Sequence, residues 1–174
     1  MKKTKNKVIS LTLVSEKTLF LGLAFLSFSI PFSLGHSQLL TGTLVNAFLF
    51  SAALFLPKRL LWPLLFLPSL AVLSRGLIFG PLTVFLIFLL PFVWVGNFLL
   101  VFIFKKVYNL LGFGLGVLSA ALSKQIFLFT FTFAFFKIGL LPRLFLTTMG
   151  LNQFLTASLG GLLAWLIFKK VKNG

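Results

Sequence analysis

Residues 109–136, NLLGFGLGVLSAALSKQIFLFTFTFAFF, contain one lysine and no acidic residue. A run this apolar exceeds the roughly 20 residues needed to cross a bilayer. It reads as a helix, because a segment alone in lipid must satisfy its backbone hydrogen bonds internally. Five further runs, at 18–34, 38–56, 60–79, 81–104 and 151–168, read the same way. The predicted fold is an all-α integral membrane protein of about six transmembrane helices. Its organisation is a basic cytoplasmic tail at 1–17, a membrane domain at 18–168 and a second basic tail at 169–174. Residues 1–7 resemble the basic start of a signal peptide, but the apolar run at 8–15 is short and has no clear cleavage site, so an uncleaved cytoplasmic tail is expected, with an interfacial turn of helix as the alternative form of this segment. The segment 138–150, interrupted by Pro142 and Arg143, is too broken to span and reads as a loop with a short surface or re-entrant helix.

Composition agrees. Of 174 residues 59% are hydrophobic, and the mean hydropathy is +1.13. Only 10% are charged, against about a quarter in a soluble chain, and Glu16 is the single acidic side chain. A net charge of +15 on a folded surface would suggest nucleic acid, but here the cations cluster between apolar runs, so no nucleic-acid partner is expected. The absence of cysteine excludes disulfides and thiolate metal sites. One histidine and one glutamate are too few for a metal centre, and no cofactor is expected.

Six spans put both termini on one side. Lys2, Lys3, Lys5, Lys7, Lys17, Lys58, Arg59, Lys105, Lys106, Lys169, Lys170 and Lys172 then share that side, against Arg75, Lys137 and Arg143 opposite. The excess of cations predicts cytoplasmic termini. Pro63 and Pro68 make the third span the one predicted to be broken, since internal prolines free backbone carbonyls.

Polar residues in lipid are costly, so their depth and face are informative. Gln38, Thr41, Gly42, Val45 and Asn46 follow helical spacing and share one face of the second span. Arg75 ends the third span on the outer side, and Asn152, Gln153 and Thr156 begin the sixth there. Lys124 lies about 22 Å along the fifth span from Asn109, too deep to reach headgroups easily. Ala120 and Ala121 precede it on its own face, whereas Phe127 and Leu128 follow, so any hollow is expected on the inward side of the amine. Gly112, Gly116, Ser119, Ser123 and Thr130 form a stripe of small residues suited to close packing. Asn97 is placed in the inner half, outside the cluster, as a contact between helices.

Two readings of Lys124 stay open. In one it joins Arg75, Gln38, Thr41, Asn46, Asn152 and Gln153 in an outward-facing pocket for a small-molecule ligand. In the other it bonds to carbonyls freed by Pro63, Pro68 or Pro91, and the amides hold helices together. His36, in the outer loop, reads as an interfacial residue. With no carboxylate in any span, a pocket ligand is expected to be anionic or neutral and polar.

An enzyme is not expected. Transfer to polyprenyl phosphates needs clustered aspartates, which are absent, and Ser123 and Lys124 are adjacent on one helix, about 100° apart, a poor geometry for a dyad. Proton coupling normally uses an intramembrane carboxylate or histidine relay. No phosphate-binding loop is present, so ATP would have to be used by a partner.

The order QLLTGTLVNA at 38–47, LPSLA at 67–71, PF at 91–92 with GN at 96–97, and LTA at 155–157 with GG at 160–161 resembles small members of the substrate-binding S components of energy-coupling factor transporters. The resemblance implies an S-component-like bundle in a prokaryotic cell membrane, a vitamin or other micronutrient bound from outside, and docking onto a membrane T subunit driven by two cytoplasmic ATPases. The first helix of that group often presents alanines four apart to the T subunit, whereas Gly22, Ala24, Ser27 and Ser29 lack that spacing. Ligand contacts vary within the group, so the pocket residues rest on depth alone. The competing expectation is a non-transport scaffold, an assembly subunit or a holin-like pore former.

Overall fold

The computed structural model describes the backbone of residues 2–34, 37–76 and 83–173, with side chains for 16–34, 37–76 and 85–170. Among them it is helical without strands. The helices are α1 (Lys2–Ser33), α2 (Gln38–Phe55), α3 (Lys58–Arg75), α4 (Thr83–Leu111), α5 (Phe113–Lys137), the short α6 (Leu144–Met149) and α7 (Leu151–Asn173). Four segments within them, Gln38–Phe55, Phe85–Leu111, Phe113–Lys137 and Leu144–Lys170, are long and apolar enough to cross a membrane.

Local chemistry sets the boundaries. Ser37 caps α2, its hydroxyl accepting from the Leu40 N–H at 3.3 Å. Gly76 ends α3 in the left-handed conformation at φ 68°, where a Cβ would be strained. The backbone of residues 2–17, the segment expected as a basic tail, is helical and continuous with the rest of α1, which runs unbroken to Ser33 with Pro31 in its last turn. The expected break in the third span is absent. α3 passes both Pro63 and Pro68 as one helix, tolerable because each proline removes one N–H and neighbouring groups take up the loosened carbonyls. The connection between α4 and α5 is the single residue Gly112, at φ 87°. The basic cluster Lys105–Lys106 therefore lies within α4 rather than in a loop. The 138–150 segment does contain a short helix, α6, with Phe145 fully buried. His36 and Pro81 lie outside the described residues.

α4 packs most extensively on α5, and α2 on α7. The central core joins Leu49, Phe50, Leu100, Phe104, Ala120, Ala121 and Ala157, with Phe50 and Phe104 edge to face at 4.9 Å. A second core, Val72, Leu86, Leu89, Leu128, Phe145 and Met149, closes the end of the bundle where α6 lies. The small-residue stripe is not one packing face: Gly116 is buried against Tyr108, but Ser123 and Thr130 bond back to carbonyls of their own helix. The packing face of α5 is that of Ala120, Ala121, Lys124 and Leu128.

The outside of the bundle is apolar, with Leu21, Leu110, Ile126 and Leu151 more than half exposed, while Asn46, Asn97, Lys124 and Thr156 are buried. So much exposed apolar surface does not suit a monomer in water, and with four helices of spanning length it marks a membrane protein.

Candidate functional site

Lys124 projects from the middle of α5 into the bundle and is 3% exposed. Its Nζ donates to Asn46 Oδ1 on α2 and to Asn97 Oδ1 on α4, both at 2.8 Å. Each amide is held on its other side. Asn97 Nδ2 donates to the Leu65 carbonyl at 2.9 Å, in the turn before Pro68. Asn46 Nδ2 donates to Thr156 Oγ1 at 3.2 Å, and that hydroxyl donates to the Gln153 carbonyl at 3.2 Å. A carbonyl can only accept, so Leu65 O fixes which end of Asn97 faces it and leaves the amide oxygen for the ammonium. One side chain thus ties α5 to α2 and α4, and through them to α3 and α7.

An ammonium has three donors, and among the described residues two acceptors meet this one. Neither carries a net charge. The cavity beside it holds about 110 Å³, and its lining includes Lys124, Asn46, Asn97, Gln38, Thr41 and Gln153, with Pro31, Pro68, Ser69, Val72, Leu86 and Met149 also in the wall. Glu16, the one acidic side chain of the sequence, is not among its lining residues. About 10–15 Å³ suffices for one water, so there is room for several waters or a small polar solute.

The cavity opens on the opposite side of the amine from the one expected. It extends toward the end of the bundle where α2 and α7 begin, as Gln38, Val72, Leu86, Met149 and Gln153 show. Ala120 and Ala121 are instead fully buried in the central core, the cluster that also holds Leu49 and Leu100. The bulk after Lys124 is drawn aside: Phe127 packs on Phe92 and Phe131, and Leu128 lies over Gly96.

Of the residues expected at the site, Lys124, Gln38, Thr41, Asn46 and Gln153 come together. Asn152 does not line the cavity, but its Nδ2 donates to Gln38 Oε1 at 3.4 Å, while Gln38 Nε2 donates to the Thr148 carbonyl at 3.1 Å. Thr41 Oγ1 donates to the Leu34 carbonyl at 3.2 Å. Arg75 is not part of the cavity. Its guanidinium donates to the Phe32 and Ser33 carbonyls at the end of α1, as a cation at a helix C-terminus does.

Asn97, assigned to the inner half from sequence, belongs at the centre. With the turn at Gly112, Asn97 lies about 22 Å up α4 and Lys124 about 18 Å up α5, nearly level. A turn drawn at 105–108 shifted that register. Ser69, which accepts from Trp94 Nε1 at 2.7 Å, and Met149, toward which Gln153 Nε2 points at 3.8 Å, had no polar pattern to single them out. Compared with known protein families, characterised proteins and solved structures, the chain matches none.

Proposed function

We propose that this chain is a multi-pass subunit of a prokaryotic cell membrane that binds a small anionic or neutral polar nutrient, such as a vitamin, for uptake energised by partner ATPases, in the manner of an S component. The observation that carries the reading is the Lys124 ammonium: buried at a cavity, held by two uncharged amide oxygens, with no carboxylate among its partners. Burying an ion without a counter-charge costs several kcal/mol. An anion entering the cavity would supply that charge, and a cation would be repelled. A ligand pocket is typically about 300–1,000 Å³, so a vitamin-sized molecule needs Gln38, Met149 and Gln153 to move apart at the rim.

In this reading six helices cross the membrane, α1 and α3 joining the four of clear spanning length. The uncharged stretch of α3, residues 60–74, is about 22 Å long against a hydrocarbon core of about 30 Å. Lys58, Arg59 and Arg75 at its ends would close the difference by reaching for the interfaces. Both termini face the cytoplasm, the side richer in cations. A C-terminal reporter active only outside the cytoplasm should be silent, and activity there would reverse the topology.

A scaffold is the second reading, favoured by the bonds that the amides already make between helices. The two part on ligand binding. A binding subunit gains thermal stability with its ligand by mass action, so purified protein is screened against carboxylated and neutral vitamins, with a pull-down for a T subunit and ATPases. A stabilising vitamin whose effect is lost in Lys124→Met supports uptake. No stabilising compound and no such partner would leave the scaffold.

A further inference from the structure

At the far end of the bundle from the Lys124 cavity, α3 and α4 part to leave a second hollow of about 530 Å³. Its lining changes chemistry along its length. Lys58, from the first residue of α3, and Lys105 and Lys106, from the last turns of α4, line one end, and Trp62, Phe98 and Phe102 lie further along. Trp62 and Phe98 stack with centroids 5.7 Å apart, and Phe98 stacks on Phe102 at the same distance. The three rings are exposed, Trp62 by 54%. Lys105 Nζ donates to the Leu56 carbonyl at 3.5 Å, which tethers it at the mouth. Among the described residues no carboxylate lines this groove, Glu16 included, so none of theirs neutralises its three ammonium groups.

An occupant should be anionic at one end and apolar over the next 10 Å or so, the rise from Lys105 back to Phe98 at about 1.5 Å per residue. A free phosphate would satisfy the lysines and leave the rings uncovered. A zwitterionic or neutral lipid would cover the rings and bring no net charge to the lysines. An anionic phospholipid matches both parts, and basic pockets between helices on the cation-rich side suit such headgroups. We infer that the α3–α4 groove binds an anionic phospholipid, with its phosphate among Lys58, Lys105 and Lys106 and an acyl chain along Trp62, Phe98 and Phe102. The site is independent of the nutrient reading and would serve a scaffold equally.

Trp62 supplies the probe. In a protein carrying Trp94→Phe and Trp165→Phe, reconstituted in phosphatidylcholine vesicles, brominated phosphatidylglycerol should quench Trp62 more strongly than brominated phosphatidylcholine. Each lysine near an anionic headgroup is worth roughly fivefold in affinity. The triple variant Lys58→Gln, Lys105→Gln, Lys106→Gln should therefore lose at least about tenfold in apparent affinity for the anionic lipid, and the pair Lys169→Gln, Lys170→Gln should lose little. If the triple variant does not fold, Lys58→Gln and Lys106→Gln, both at exposed positions, are read singly. Equal quenching by the two lipids, or an equal loss in the control pair, overturns the site. So does displacement of the lipid by inorganic phosphate, which would make it a free-anion site. Shielding of Trp62 from both lipids in native membranes, relieved on purification, would mean that a protein covers the groove and would overturn it too.

Discussion

Lys124 Nζ and Asn97 Oδ1 stand 2.8 Å apart across 27 residues of chain, and the contact takes the place that an ion pair would fill in most buried networks. Asn46 makes the same contact from the other side. The ammonium is therefore solvated by amide dipoles rather than neutralised. That distinction governs how substitutions here behave.

Lys124→Met keeps an unbranched side chain one atom shorter and removes the charge. The cost of burying an ion, several kcal/mol, is relieved, while two amide oxygens each lose a donor at about 1–3 kcal/mol. The terms nearly offset, so the variant should stay folded, with stability within about 2 kcal/mol of the parent. Lys124→Glu sets a carboxylate against the same two oxygens and should not accumulate as folded protein. Size-exclusion profiles and thermal unfolding in detergent read both. A collapsed methionine variant beside a stable glutamate variant would refute the account.

Aspartate should be better tolerated at position 46 than at position 97. At position 46 the neighbouring Thr156 hydroxyl can rotate to donate to a carboxylate, and Lys124 gains a counter-charge, so Asn46→Asp should raise the unfolding temperature and abolish stabilisation by any anionic ligand. At position 97 the group facing the new carboxylate is the Leu65 carbonyl, which has no proton to give. Lys124 gains the same counter-charge there, but the two facing acceptors oppose it by about 1–3 kcal/mol, so Asn97→Asp should unfold below Asn46→Asp. Equal behaviour of the two variants in a thermal-unfolding series would show that the amide orientations described are wrong.

Much of the site was legible because lipid penalises polar groups so heavily. A lysine twelve residues from the nearer end of a 28-residue apolar run had to find partners inside, and the helical spacing of Gln38, Thr41 and Asn46 placed them on one face. What escaped was register. Lys105 and Lys106 look like a loop because cations usually mark one, whereas α4 carries them on to Leu111 and turns at Gly112. That shift hid Asn97. Arg75 escaped for another reason: the open carbonyls at the end of α1 are made by the fold, and no sequence pattern announces them. The side on which the cavity opens depended on how Phe127 and Leu128 pack against α4, a matter of tertiary contacts alone.

Gly160 sets how closely α2 and α7 approach. A Cβ there would lie 2.7 Å from the Thr43 carbonyl oxygen and 2.8 Å from the Ala47 nitrogen, both backbone atoms that cannot swing aside. Gly160→Ala should cost about 1–3 kcal/mol by overpacking and loosen the Asn46–Thr156 contact beside it. At Gly42 the neighbours are side-chain atoms of Thr156 at 3.0–3.2 Å, and Gly42→Ala should cost less. Unfolding temperatures of the two variants test the order, and a reversed order would place the tight helix contact elsewhere.

Arg75→Gln separates the cavity from its surroundings. Among the described residues the guanidinium holds the Phe32 and Ser33 carbonyls, and it is absent from the cavity wall. Losing those bonds should lower stability by about 1 kcal/mol, because the carbonyls at this exposed helix end can turn to water or headgroups. Ligand-induced stabilisation, read as the rise in unfolding temperature at saturating ligand, should keep the parent's size. If Arg75→Gln instead abolished that rise while its unligated unfolding temperature matched the parent's, the arginine would belong to the binding surface. The C-terminal capping role of Arg75 would then be secondary to a charge reaching the ligand from the rim.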